Sequence, residues 1–379
     1  MELMNATARF AANAWTDDTD QALLILLSYQ HNSTRDTPNL TKDYLSRDFA
    51  ARLQIWLYQG LLCLNRHTIG VGDLLEKVVI SPSYLTSPFN VATGKWIASK
   101  RVAAPNGSLM RTYPIGVIGV AMSEEETWKL ATDVGRCTHV DPRCVVSCCI
   151  EVGLIRGLLS GQVLDEKGVD AVIERSFEWV KQQPELMNPG LSTSLDKEQI
   201  EALLTRKECK QHVYAEALEK LELDDNKKMG YVYKCLGSAL VLLRLAMRET
   251  ASSVAGNPLP QESLFEDLMV DLIMEGGDAD TNGAAAGALL GAYLGCARLP
   301  SHWTLGLRHR EWLLKKTGRL AIALGVEKGK LEVEEDEQRD GGVGLMTARE
   351  LKRRNEKLAQ ERERERRVAV ARMSKRGNV

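Results

Sequence analysis

Apolar positions along the chain recur mostly at three- and four-residue spacing, the period of helices packed on one face. Leu264, Phe265, Leu268, Met269, Leu272 and Ile273 trace one such helix. Gly276-Gly277 ends it, because glycine takes the left-handed conformation that a helix terminus needs. Behind it, the run AAAGALLGAYLG predicts a second helix whose small faces permit close packing. Residues 22–27 are apolar on every side, as in a helix buried all round. Residues 43–65, 143–159, 169–181, 229–248 and 311–324 predict further helices, and Ser123-Glu-Glu-Glu126 matches a capping box opening another. Strand pairs with hairpin signals and repeats of fixed period are not found. The pattern predicts an all-α fold built as a single multi-helix domain.

Two breaks in this pattern carry chemistry. The first is Asp278-Ala-Asp280-Thr281-Asn282, a turn at the start of the small-residue helix. The spacing lets both carboxylates point to one side, where uncompensated repulsion would keep one protonated. Carboxylate and hydroxyl oxygens suit Mg²⁺, Mn²⁺ or Ca²⁺; equally, Asp280 or Thr281 by itself reads as a helix cap. The second is Trp15-Thr16-Asp17-Asp18-Thr19-Asp20, at the mouth of the buried helix. Brought together, Thr16, Asp17, Asp18, Asp278, Asp280 and Thr281 would line a hollow able to hold two hard cations. Asn106-Gly107-Ser108 offers backbone amides at a turn, suited to phosphate or ribose oxygens. Arg111 reads as a phosphate contact or a structural ion pair, and His139 as a ligand contact or a helix-end partner.

The chain has 379 residues and a formal charge of −2 that hides an asymmetry. From Leu351 on, eleven Lys and Arg stand against four Asp and Glu, so this tail is +7 and the remainder −9. Residues 1–326 read as the helical domain, 327–347 as an acidic, Gly-interrupted linker, and 348–379 as a charged helix or disordered extension. Without interleaved aromatics the tail has no specific nucleic-acid chemistry. The eight cysteines lack a CxxC pair, which favours reduced thiols in an intracellular, cytoplasmic or nuclear monomer. The longest apolar run, about 14 residues, falls short of a membrane span.

WTDDT, NGSLMR, a Thr-His before a helix, and GGDADTN followed by AAAGALLGA stand in this order along the chain. Together they resemble the ADP-ribosylglycohydrolase family, which includes the dinitrogenase-reductase-activating glycohydrolases and the ADP-ribosyl-serine and -arginine hydrolases. The resemblance implies an all-α domain with a two-metal centre, usually Mg²⁺ and sometimes Mn²⁺. It implies Thr16, Asp17 and Asp18 as ligands of one ion, Asp278 and Thr281 of the other, and Asp280 as the bridge. Asp17 and Asp18 become the catalytic candidates, and Asn106, Gly107, Ser108 and His139 the surroundings of ADP-ribose. The implied reaction is hydrolysis at the ribose anomeric carbon of an ADP-ribosylated protein or ADP-ribose derivative.

One departure is expected to matter. Family members begin with a helix of the form GxxxGxAxGDAxG and a Glu in a short aromatic motif, and residues 1–14 contain neither. A catalytically impaired, ADP-ribose-binding relative is therefore the alternative reading. Asp278-x-Asp280-Thr281 also fits the nucleophile motif of haloacid-dehalogenase-like phosphatases. That motif follows a β-strand, whereas here a helix and Gly-Gly precede it.

Overall fold

A computed structural model describes residues 13–34, 42–191, 194–254 and 263–376. The segment that departs from the family pattern thus lies, up to residue 12, outside the described residues. In chain order the helices are α1 (Asp17–Ser33), α2 (Lys42–Gln59), α3 (Asp73–Val79), α4 (Pro88–Ala98), α5 (Leu109–Ile118) and α6 (Glu124–Gly135). Then come α7 (Pro142–Leu159), α8 (Glu166–Lys181), α9 (Pro184–Met187), α10 (Lys197–Ala202), α11 (Arg206–Val213) and α12 (Val232–Val254). Last are α13 (Leu264–Met274), α14 (Ala279–Leu294), α15 (Ser301–Gly306), α16 (Arg310–Ala323) and α17 (Ala348–Arg376). Among the described residues there is no strand, only two isolated bridges. No described helix is long and apolar enough to cross a membrane. The architecture is all-α.

Helix α14 is the hub, packing against α12, α7, α5 and α1. Its buried face is Thr281, Asn282, Ala285, Ala286, Leu289 and Leu290, while Gly283 and Gly287 stay half-buried. A Cβ at either glycine would meet only Met269 Cε, at 3.6 and 3.7 Å. Close packing thus comes from the alanines rather than the glycines. Gly276 and Gly277 do what the sequence required, with φ of +75° and +65°. At Gly277 a Cβ would also stand 2.0 Å from the Leu223 carbonyl oxygen, so the turn needs glycine twice over.

Helix α1 is buried all round from Ala22 to Leu27, as its pattern predicted. Each such leucine contributes roughly 1.5–3 kcal/mol relative to exposure, which sets the acidic turn before it on firm ground. Helix α6 opens with the expected capping box. Asp141 caps α7 through the Arg143 amide and also accepts from Trp96 Nε1 at 2.8 Å, joining α4 to α7.

The acidic stretch after α16 is fastened to the helical body. Lys316, fully buried, donates to Glu334 at 2.7 Å, Asp336 at 2.6 Å and Glu337 at 3.1 Å. Arg319 Nε meets Glu337 at 2.6 Å, and Arg52 Nη2 reaches the Glu337 carbonyl at 2.6 Å. Gln30 Nε2, at the far end of α1, donates to the Lys316 carbonyl at 2.6 Å.

Candidate active site

The two acidic turns meet. Asp17 and Asp18 open α1 and Asp280 opens α14, and one carboxylate oxygen of each lies within 4.8 Å of the others. Thr16, extended before α1, donates its hydroxyl to Asp18 Oδ2 at 2.5 Å. Thr281 is buried, and its hydroxyl holds the Asp18 carboxyl down against the effect of burial. Asp278 accepts from Asn106 Nδ2 at 2.8 Å.

Such crowding is costly for bare carboxylates. Burial, then the charges of Asp18 and Asp280, push the Asp17 carboxyl up to about 9. Burial and then Asp280 push Asp18 up to about 6. Burial also raises Asp278 to about 6, against the pull of the Asn106 hydrogen bond. Asp18 Oδ1 is buried with no hydrogen-bond partner. A buried carboxylate oxygen of this kind wants a cation or a water, and an all-oxygen donor set suits a hard divalent ion. The other acidic gathering, Glu334, Asp336 and Glu337, is already neutralised by Lys315, Lys316 and Arg319.

Asp20, the third aspartate of the first turn, has a different job. It accepts from Trp15 Nε1 at 2.7 Å, Trp56 Nε1 at 3.2 Å and Arg66 Nε at 2.9 Å. Arg66 Nη2 also takes the Trp15 carbonyl at 2.9 Å. This buried knot fixes the backbone from which Asp17 and Asp18 project.

A cleft of about 1140 Å³ opens over the cluster, lined by Asp17, Asp278, Asp280, Asn106, Gly107 and His139 among others. The 106–108 loop is pinned from below, since the Asn106 amide donates to the Gly230 carbonyl at 3.0 Å. His139 is buried, with Nδ1 2.7 Å from Thr138 Oγ1. Ser108 is 1% exposed and accepts from Cys148 Sγ at 3.5 Å, so its side chain faces α7 rather than the cleft. Arg111 is fully buried and so is no ligand contact; it donates to Gln21 Oε1 at 2.9 Å and Thr138 Oγ1 at 2.6 Å.

Sequence reading passed over Gly70 and Gln21. Gly70 has φ of +84°, and a Cβ there would stand 2.3 Å from Asp17 Oδ1. Gln21 Nε2, one turn along α1, donates to Asp17 Oδ2 at 3.2 Å. In the sequence, Gly70 and Gly72 only punctuate the chain after the 43–65 helix, which does not say what Gly70 approaches.

A protein of Archaeoglobus fulgidus described as uncharacterized is 24% identical over 303 residues, 80% of this chain and 78% of its own length. A solved structure, an ADP-ribosylglycohydrolase-related protein complex, is 22% identical with a TM-score of 0.47, covering 82% of this chain and 80% of that one. The profile of the ADP-ribosylglycohydrolases matches residues 2–330. With nearly the whole helical body matched, the chain belongs to the ADP-ribosylglycohydrolase family.

Proposed function

We propose that the protein hydrolyses the bond between the ribose anomeric carbon of ADP-ribose and its acceptor, a protein side chain or small molecule. Two divalent cations, Mg²⁺ or Mn²⁺, would be held by Thr16, Asp17, Asp18, Asp278, Asp280 and Thr281. The observation that carries this reading is the meeting of Asp17, Asp18 and Asp280 within 4.8 Å at the floor of a cleft whose wall is the Asn106 loop. Bound cations would neutralise the carboxylates and polarise ribose oxygens.

The chain's own groups do the rest. Asn106 holds Asp278 Oδ2, and Gly107 leaves room for ligand oxygens to approach the loop backbone. Asp17, once ionised, faces the cleft and accepts a proton from the attacking water. The water hydroxyl goes to the anomeric carbon, the bond to the acceptor breaks, and the proton leaves with the acceptor. Buried at the cleft floor, Asp17 and Asp18 act in a medium where a fixed charge is screened less than in water.

The test is release of ADP-ribose from a modified protein, with Mg²⁺ and after chelation. Cation-dependent release is expected. Binding of ADP-ribose without any release would overturn the catalytic reading and leave a binding relative.

A further inference from the structure

Four hydrogen bonds join the acidic cluster to the cleft wall through the protein interior. Gln21 Nε2 donates to Asp17 Oδ2 at 3.2 Å, and Arg111 Nη1 donates to Gln21 Oε1 at 2.9 Å. Arg111 Nη2 donates to Thr138 Oγ1 at 2.6 Å, and Thr138 Oγ1 lies 2.7 Å from His139 Nδ1. We propose that Arg111 is a positioning residue that, through Thr138, fixes His139 as an Nε2–H donor to an oxygen of the ligand, and through Gln21 orients Asp17.

The direction of each bond follows from what each group can do. Arginine has donors and no acceptor, so Gln21 Oε1 and Thr138 Oγ1 both accept from it. Gln21 then has only its amide N–H left to offer, and Asp17 takes it. Thr138 keeps its own hydroxyl hydrogen, and the acceptor it has among the described residues is His139 Nδ1. An imidazole whose Nδ1 accepts carries its proton on Nε2. Burial, with the Arg111 charge next in weight, holds the ring well below its usual range, in keeping with a neutral imidazole.

What Nε2 faces gives the device its use. It has no hydrogen-bond partner among the described residues, and His139 lines the cleft. A Cβ at position 107 would stand 3.1 Å from Nε2. Glycine there leaves the donor uncovered, open to an acceptor oxygen arriving over the loop. Arg111 itself, fully buried with its Cζ 5.2 Å from the Phe49 ring centre, touches no ligand. It acts wholly through Gln21 and Thr138.

This proposal rests on the ligand reading of the cleft, and its test separates the two. The ring ¹⁵N signals of His139 report the tautomer with no ligand present. The wild type is expected as Nε2–H, and Thr138→Val as a mixture of both tautomers. ADP-ribose should bind Thr138→Val about tenfold more weakly at saturating Mg²⁺, with Thr138→Ser restoring both tautomer and affinity. A thermal melt of each variant shows whether it is folded, and the wild-type tautomer needs no variant at all. A wild-type Nδ1–H ring, or a folded Thr138→Val variant with unchanged tautomer, overturns the proposal. An Nε2–H ring in a wild type that binds no ADP-ribose upholds the relay and overturns the ligand reading instead.

Discussion

Asn106 Nδ2 lies 2.8 Å from Asp278 Oδ2, across 172 residues of sequence. One bond joins the loop that walls the cleft to the turn that floors it, so the two cannot move independently. Asn106→Ala should therefore weaken both cation and ligand binding. Isothermal titration of Mg²⁺ and of ADP-ribose checks this, with losses of about tenfold expected in each.

Asp280 contributes like charge to Asp17 and Asp18. In the metal-free protein Asp280→Asn should raise the melting temperature, because repulsion is relieved. It should also abolish the stabilisation expected of Mg²⁺ in the wild type. Scanning calorimetry with and without Mg²⁺ reads both signs, and an Mg²⁺ response equal to wild type contradicts the bridging role.

The pH dependence has a definite direction. Asp17, raised from 3.8 to about 9, binds a proton in the folded state that the unfolded chain releases above pH 4. Metal-free stability should accordingly fall as pH rises from about 4 to about 9, by at most about 1.4 kcal/mol per unit for one proton. Asp18 adds to the fall between about 4 and 6. Saturating Mg²⁺ should flatten the slope and release protons on binding. Urea midpoints across pH, with chelator and with Mg²⁺, test this.

Gly70→Ala combines an unfavourable φ of +84° with a Cβ 2.3 Å from Asp17 Oδ1. The strain costs about 1–2 kcal/mol, which a large helical body can bear. The displaced carboxylate should lower Mg²⁺ affinity by tenfold or more while the far-ultraviolet dichroism stays helical. Loss of helix together with Mg²⁺ binding would make the glycine purely structural.

Glu151, on α7, is 1% exposed, and neither carboxyl oxygen has a partner among the described residues. Burial holds its carboxyl well above the usual range, so it is a neutral acid with unmet hydrogen bonds. Glu151→Leu should stabilise the protein by about 1–2 kcal/mol. A urea midpoint that falls instead would reveal an interaction that Glu151 makes and leucine cannot.

Helix periodicity and glycine chemistry were legible because they are local: the Gly-Gly stop, the all-apolar α1 and the Ser123 capping box depend on neighbours in sequence. The role of Asp20, beside Asp17 and Asp18, was not. Asp17, Asp18 and Asp20 look alike in the chain, and what separates Asp20 is Trp56 and Arg66, which arrive from elsewhere. Arg111 shows the same limit. A cation leaving a polar loop reads identically whether it turns towards a cleft or inward, and only the tertiary arrangement of Gln21 and Thr138 decides.

The clasp around Glu337 bears on the order in which the molecule can be finished. Lys316 and Arg319 are made before the carboxylates that neutralise them, and a buried cation without its partner costs several kcal/mol. Helix α16 is thus poorly suited to seat itself against Gln30 until residue 337 has been synthesised. The profile match ends at residue 330, short of Glu334, Asp336 and Glu337. A chain stopped there on the strength of that match would carry a half-dressed α16 against the far end of α1, the helix that presents Asp17 and Asp18.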